Sequence, residues 1–448
     1  GLADRDLPND GVYRIGRAFG SILKSRRPDA KVGVGRDERL SSPRIFKSLA
    51  HGLSQSGVEV VELGTTTTPQ VYFAHYHFNL DAIIQVTASH NPKDDNGMKM
   101  MLQKETLFGD EIQRLGREVL HYSEVFDESQ AMSKTYPSYA DELQVAYADY
   151  LIRTIKVSKK YRIAVDCGNG MTGKVARRVF SHYASELEIL FEEVDCRFPH
   201  HEADPTVVAN LKDLQSLMKK KTFDVGFAFD GDGDRLGVLT SSGRILWGDE
   251  ILMLLSELVL KQKPGSTIIG EVKCSEKLFR MVESRGGQSL MYKTGHSLIK
   301  KKMKEVGAPL AGEMSGHLFF ADRYFGFDDA LYAALRVLEV IDQLGIDLDT
   351  WIKNFPESCV TPEIRVRCEE SEKALLVEKA KVYFQGVEGA RLTLIDGIRV
   401  GFPDGAWALV RASNTQAVLV VRVEASSLGR QQEILKEVGK ALGRPIDV

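Results

Sequence analysis

Short apolar runs alternate with amphipathic stretches along most of the chain, and one arrangement occurs three times. In its first occurrence residues 31–35 predict a strand, and a polar turn follows. Residues 43–55 are then amphipathic at helical spacing, and residues 58–63 predict a second strand after Gly57. In the second, residues 161–166 predict a strand, 168–173 a turn, 174–183 a helix and 188–194 a strand. In the third, strands are expected over 266–270 and 289–292, with a helix over 275–284 between them. Strand–helix–strand units of this length imply parallel pairing with right-handed crossovers. Further helix or strand signals follow each unit. The pattern therefore predicts three α/β domains of related topology.

The tail differs. Residues 360–367 alternate, 372–383 predict a helix, and strands follow over 398–400, 406–411 and 417–424. A last helix is expected over 430–442. That order indicates a small α+β domain with an antiparallel sheet. Linkers are expected near Tyr136-Pro137-Ser138, Ser241-Ser242-Gly243 and Phe355-Pro356. They divide the chain into residues 1–136, 137–242, 243–355 and 356–448. Multiple domains also fit the length, since 448 residues exceed what one ordinary core accommodates.

Composition narrows the function classes. A hydrophobic share of 43% with 27% charged residues is ordinary for a globular protein. A net charge of −3 gives no global pull toward nucleic acid or an anionic membrane. The five cysteines are scattered, with no C-x-x-C pair, so neither a zinc site nor a disulfide framework is indicated. The reducing cytoplasm is the expected compartment. The longest apolar run, residues 251–260, is too short to span a bilayer.

The stretch Phe229-Asp230-Gly231-Asp232-Gly233-Asp234-Arg235 concentrates the candidate chemistry. Its carboxylates fall at every second position, and glycines fill both gaps. An apolar segment over 223–229 runs straight into it and predicts a buried strand, whose C-terminal edge is a favoured place for a site in an α/β sheet. Adjacent anions repel, which calls for a hard cation, Mg²⁺ or Ca²⁺. An EF-hand loop from Asp230 needs glycine at its sixth place and glutamate at its twelfth. Arg235 and Ser241 stand there instead, so that calcium motif is excluded. Arg235 points to a shared anionic ligand and hence to Mg²⁺. A solvated acidic turn is the alternative.

Four further loops carry polar groups. Residues 81–87 predict a strand ending at Ala88-Ser89-His90-Asn91-Pro92, with Lys99 beyond an Asn96-Gly97 turn. Ser89 is a candidate nucleophile and His90 and Lys99 offer proton transfer or charge, while an ordinary turn is the plainer reading. Gly168-Asn169-Gly170-Met171-Thr172-Gly173 matches G-x-G-x-x-G between a strand and a helix, and keeps a dinucleotide-binding oxidoreductase open. Glu313, Ser315 and His317, in Gly312-Glu-Met-Ser-Gly-His317, can hydrogen-bond a polyol, with Lys273 and His296 upstream. Lys300-Lys301-Lys302 reads as a solvated helix face. Arg411, Ser413, Asn414 and Thr415 form a possible phosphate cradle between two strands.

Taken as an ordered set, these loops resemble the α-D-phosphohexomutase family, in particular its bacterial phosphomannomutase/phosphoglucomutase branch. Thr87-Ala-Ser-His-Asn-Pro92 is similar to the family's phosphoserine loop, and Asp230 to Arg235 to its metal loop. Gly312 to His317 is similar to its sugar loop, and Arg411 to Thr415 to its phosphate loop. The resemblance implies a four-domain, heart-shaped architecture. It implies that Ser89 carries a phosphoryl group, with Mg²⁺ held by Asp230, Asp232, Asp234 and a phosphoserine oxygen. The phosphoryl would pass between the 1 and 6 positions of mannose and glucose phosphates through a hexose 1,6-bisphosphate. Arg235, Lys99, His90 and Arg36 would assist; Arg36 and Arg39 lie in a further motif that lines the first domain. Lys273, His296, Glu313, Ser315, His317, Arg411, Ser413, Asn414 and Thr415 would bind the substrate. A monomer acting on hexose phosphates is implied, with neither nucleic acid nor membrane as partner. A non-catalytic sugar-phosphate binding protein on the same scaffold remains an alternative. Family members open with a strand and a Tyr-Asp-Ile-Arg-Gly-like segment, and Gly1 aligns with its final glycine. A further N-terminal strand bearing a tyrosine and an arginine near Ser89 is expected.

Overall fold

A computed structural model describes residues 1–413 and 416–446. In the first domain, β1 (Lys31–Arg36), β2 (Glu59–Thr65), β3 (Ala82–Val86), β4 (Met98–Leu102) and β5 (Glu105–Thr106) form a sheet ordered β2-β1-β3-β4-β5. β1 pairs in parallel with β2 and β3, and β4 and β5 then run antiparallel. In the second, β6 (Tyr161–Asp166), β7 (Ala184–Leu190), β8 (Val225–Phe229), β9 (Leu236–Leu239) and β10 (Ile245–Leu246) are ordered β10-β9-β8-β6-β7. In the third, β11 (Thr267–Glu271), β12 (Gln288–Tyr292), β13 (Leu310–Gly312), β14 (Leu318–Phe320) and β15 (Phe327–Asp328) are ordered β12-β11-β13-β14-β15. The three sheets share one topology: three parallel strands, then a return by two antiparallel ones.

This repetition positions the site. Ser89 lies between β3 and β4, Asp230–Asp234 between β8 and β9, and Glu313–His317 between β13 and β14. Each loop therefore occupies the same place in its domain, where the third parallel strand ends and the chain reverses. Backbone polar groups freed at that reversal are open to ligands.

The fourth domain holds β16 (Cys359–Val360), β17 (Ile364–Arg367), β18 (Arg391–Thr393), β19 (Ile398–Gly401), β20 (Trp407–Ala412) and β21 (Val418–Ala425). All its pairings are antiparallel, with the helices Lys373–Gln385 and Leu428–Leu442 supplying apolar residues to its core. One buried apolar cluster runs from Phe73 through Tyr147 and Phe227 to Leu335, across the first three domains. The fourth domain keeps a core of its own. Packing thus ties three domains together and leaves the fourth attached by a smaller contact.

Several expectations shift. The Ser241–Gly243 stretch, where a linker is expected, closes the β9–β10 hairpin: Thr240 and Arg244 pair across it, and the chain leaves the second sheet only after β10. The strand expected over 188–194 is β7, Ala184–Leu190, because its pairing with β6 fixes the register earlier. The apolar run 251–260 lies in the helix Gly248–Gln262, whose surroundings bury it nearly all round. The helix Asn9–Arg26 was not evident in the sequence pattern. It crosses the helix Ser42–Gln55 closely, since a Cβ on Gly52 would lie 2.1 Å from the carbonyl of Tyr13.

Candidate active site

Ser89 has φ of +53°, a left-handed conformation that costs free energy for any residue with a Cβ. Its loop is held in that shape by Arg39, which is only 1% exposed. The Arg39 guanidinium donates to the carbonyls of Ser89 (2.9 Å), Asn91 (2.6 Å), Pro92 (2.5 Å) and Asp95 (3.2 Å). Asp37 pairs with that guanidinium at 3.2 Å. Arg36, at the end of β1, is half-buried and donates to the carbonyl of Asp37 at 3.3 Å. The Ser89 hydroxyl donates to Asp230 Oδ2 at 2.8 Å and lies 3.2 Å from His90 Nδ1. Burial, reinforced by Arg235, pushes the His90 ring down to about 4, so it is neutral at pH 7.

The aspartate loop meets the serine loop backbone to backbone. A Cβ on Gly231 would lie 2.5 Å from the Ser89 carbonyl, so only glycine permits this approach. Asp230 Oδ1 accepts the N–H groups of Gly233, Asp234 and Arg235, each at 3.0 Å. Asp232 Oδ2 accepts from Lys99 Nζ at 2.6 Å and from the Thr68 hydroxyl at 2.5 Å. Lys99 also reaches Asp234 Oδ2 at 2.5 Å. Burial works against the Lys99 charge, but Asp232 and Asp234 outweigh it and hold the group cationic. Burial raises the Asp230 carboxyl well above the carboxylate range, and Asp234 and Asp232 raise it further.

The three carboxylates offer oxygens within 4.8 Å of one another, and Asp232 Oδ1 and Asp234 Oδ1 are buried with no hydrogen-bond partner among the described residues. Orphaned anionic oxygens beside mutually repelling carboxylates fit a hard divalent cation. Asp234, His317 and Asp328 also lie within reach of one ion. There, however, Lys300 Nζ pairs with Asp328 at 3.1 Å and His317 Nδ1 faces Asp328 Oδ2 at 3.0 Å. That group is already neutralised and reads as a relay of ion pairs.

The relay joins the second and third domains. Arg235 Nε–H donates to His317 Nε2 at 3.0 Å, which leaves Nδ1 as the protonated nitrogen facing Asp328. His296 lies 4.0 Å from Asp328, and burial, then Lys300, depress its ring well below the ordinary histidine range. Glu313 is buried and accepts the N–H of Gly295 at 2.6 Å; burial raises its carboxyl above the usual value. Ser315 is half-buried beside it. Lys273 Nζ pairs with Glu363 at 3.1 Å, and Arg411 Nε donates to Asp396 at 3.0 Å. The Ser413 N–H donates to the Val418 carbonyl at 3.0 Å. Asn414 and Thr415 lie outside the described residues.

The lysine run 300–302 predicts a solvated face for Lys300. Its ammonium is buried instead, between Asp328 and the ring of Tyr72, 4.3 Å from the ring centroid. Its position four residues after His296 and three before buried Met303 was the available signal, because those spacings share a helix face. Thr68, Arg39 and Asp328 also contact these groups; the acidic pair Asp328-Asp329 ahead of a helix start pointed at the last of these. The glycine turn 168–173 serves as packing. Met171 N–H donates to the Gly231 carbonyl at 2.9 Å, so the turn supports the aspartate loop from behind.

Sequence and structure comparisons match this arrangement. Four family models cover the chain: phosphoglucomutase/phosphomannomutase alpha/beta/alpha domains I (1–124), II (138–243) and III (247–359), and the C-terminal domain (363–441). The chain belongs to the phosphoglucomutase/phosphomannomutase family. It is 41% identical to a phosphomannomutase/phosphoglucomutase of Pseudomonas syringae pv. tomato, covering 99% of this chain and 95% of that protein. It is 40% identical to a phosphoglucomutase of Neisseria gonorrhoeae, covering 95% of this chain and 91% of the relative. A crystal structure of a phosphoglucomutase/phosphomannomutase family protein from Burkholderia thailandensis superposes with a TM-score of 0.89 at 39% identity, covering 100% of this chain and 96% of that one. These relatives give no support to an oxidoreductase or to a non-catalytic binding protein.

Proposed function

We propose that this enzyme interconverts the 1- and 6-phosphates of glucose and mannose through a phosphoserine at Ser89. The observation that carries the reading is the contact of the Ser89 hydroxyl with Asp230, 2.8 Å across two domains. Phosphoryl transfer is chiefly a matter of positioning and charge neutralisation, and the site is organised for both.

In the forward half-reaction the phosphoryl group leaves Ser89 Oγ for the free hydroxyl of a bound hexose phosphate. One P–O bond breaks, another forms, and the sugar hydroxyl gives up its proton. Lys99 and Arg235 are cationic and neutralise charge on the transferring oxygens. Neutral His90, 3.2 Å from Ser89 Oγ, is placed to exchange the serine proton as that oxygen becomes the leaving group. The bisphosphate then turns, and its other phosphate returns to Ser89. Asp230, Asp232 and Asp234 would hold Mg²⁺, which when bound supplies further neutralisation of phosphoryl charge. Arg36 would line the first-domain wall of the cleft. Lys273, His296, Glu313, Ser315 and His317 would contact the sugar or orient groups that do. Arg411, Ser413, Asn414 and Thr415 would hold the phosphate that is not reacting. Hexose 1,6-bisphosphate fits as both intermediate and activator, and a cytoplasmic monomer as the working form.

A coupled assay with glucose 1-phosphate and mannose 1-phosphate, started with the matching 1,6-bisphosphate, tests the proposal. Turnover of both sugars is expected. Absence of turnover with either, at saturating Mg²⁺, would overturn it.

A further inference from the structure

The fourth domain meets the third at a turn that none of the motifs above contains. Residues 394–397 join β18 to β19, and Ile395 packs among Val272, Met291, Trp407 and Leu409. Asp396 follows. Its Oδ2 atom accepts two hydrogen bonds, from Arg411 Nε at 3.0 Å and from the Thr294 N–H at 3.1 Å. Arg411 belongs to the fourth domain and Thr294 to the third, so one carboxylate oxygen joins both.

Each donor leads into a different part of the site. Arg411 is 4% exposed, and its Nη2 has no hydrogen-bond partner among the described residues. An unpaired buried guanidinium N–H is costly, so that edge is kept for an anion. On the other side, the Thr294 hydroxyl donates to Glu271 Oε2 at 2.7 Å, while Glu271 Oε1 accepts the Met314 N–H at 3.2 Å. The next residue, Gly295, donates its N–H to Glu313. Thr294 and Gly295 thus hold both Glu313 and the loop that carries it.

The turn is built to put Asp396 there. Gly397 has φ of +69°, and a Cβ on it would lie 2.3 Å from the Val410 carbonyl and 2.6 Å from Arg411 Cα. Only glycine lets the turn press against the backbone of Arg411.

We propose that Asp396 is a positioning residue that couples phosphate capture at Arg411 to sugar recognition at Glu313. The inference rests on the reading that Arg411 holds the non-reacting phosphate. By occupying the Nε edge, Asp396 turns the remaining guanidinium N–H groups toward the ligand. A phosphate that draws in Arg411 draws in the shared carboxylate, and with it the Thr294–Gly295 segment against Glu313.

The test compares wild type with Asp396→Ala, Asp396→Asn, Arg411→Ala and the Asp396→Ala/Arg411→Ala double variant. Calorimetric Kd for inorganic phosphate, KM for both sugar 1-phosphates and the thermal midpoint are measured. Asp396→Ala is expected to weaken phosphate binding and raise KM for both sugars about tenfold, as for one charge-assisted hydrogen bond. Asp396→Asn keeps an acceptor oxygen and recovers part of the loss, which covers the case where the alanine variant folds poorly. In the Arg411→Ala background, loss of Asp396 should change the phosphate Kd less than about twofold. A cycle of Asp396→Ala with Glu313→Gln, read as Kd for glucose 6-phosphate, should be non-additive. A phosphate Kd loss of equal size with and without Arg411, or additivity with Glu313→Gln, would overturn the proposal. Wild-type protein that binds phosphate and glucose 6-phosphate but turns over neither sugar would remove the mutase reading alone, since these binding cycles decide the coupling without turnover.

Discussion

Ser89 Oγ donates to Asp230 Oδ2 at 2.8 Å, so the nucleophile candidate of the first domain rests on a carboxylate of the second. The contact joins two loops at equivalent points of two repeated sheets. Removing the hydroxyl removes the group that would carry phosphate while leaving the Arg39 clamp on its backbone intact. Ser89→Ala is expected to lower kcat by roughly ten-thousand-fold or more with an unchanged thermal midpoint. Phosphopeptide mapping should find the phosphoryl group on Ser89 in wild type; a group mapped to another residue sinks the assignment.

Metal dependence follows from the orphaned oxygens of Asp232 and Asp234. Exhaustive chelation should abolish turnover, and Mg²⁺ should restore it. Asp232→Asn should weaken Mg²⁺ binding and reduce kcat much more than it alters KM, because the carboxylates sit beside Ser89 rather than in the sugar loop. Full activity in excess chelator would refute the requirement.

The parts legible in the sequence were those fixed by local pattern. Strand–helix–strand spacing gave the repeated domains, and glycine between aspartates marked the loop that approaches Ser89. Long-range pairing was not legible. Lys300 looks like one of a run of solvated lysines until the third domain packs on the first and Tyr72 and Asp328 close around it. Arg39 is one of several polar residues after β1, and only the folded loop brings four carbonyls to it. The Ser241–Gly243 turn carries linker composition, yet the pairing of β9 with β10 makes it a hairpin.

Lys300 gives a test of that buried pairing. Breaking one partner of a buried ion pair leaves an uncompensated charge and costs about 3–5 kcal/mol. Lys300→Met should destabilise the protein by an amount of that order in denaturant titration. Adding Asp328→Asn should recover part of the loss, since the stranded charge is gone. Equal or greater loss in the double variant would show that the pair does not act as a unit.

His75 makes a prediction about pH. It lies in the helix Thr68–His77, is fully buried, and neither ring nitrogen has a hydrogen-bond partner among the described residues. Burial, with a contribution from Lys104, pushes its pKa from 6.5 down to about 4. The unfolded chain therefore binds a proton in this window that the folded chain refuses. Stability from the neutral buried ring is fully present above about pH 6.5 and is lost as pH falls toward 4, by up to about 3 kcal/mol. His75→Leu removes the titrating group and should flatten that part of the stability profile, because no hydrogen bond is broken. Urea midpoints measured across pH 4.5–7 on both proteins check this. Parallel profiles for wild type and variant would assign the acid sensitivity to other groups.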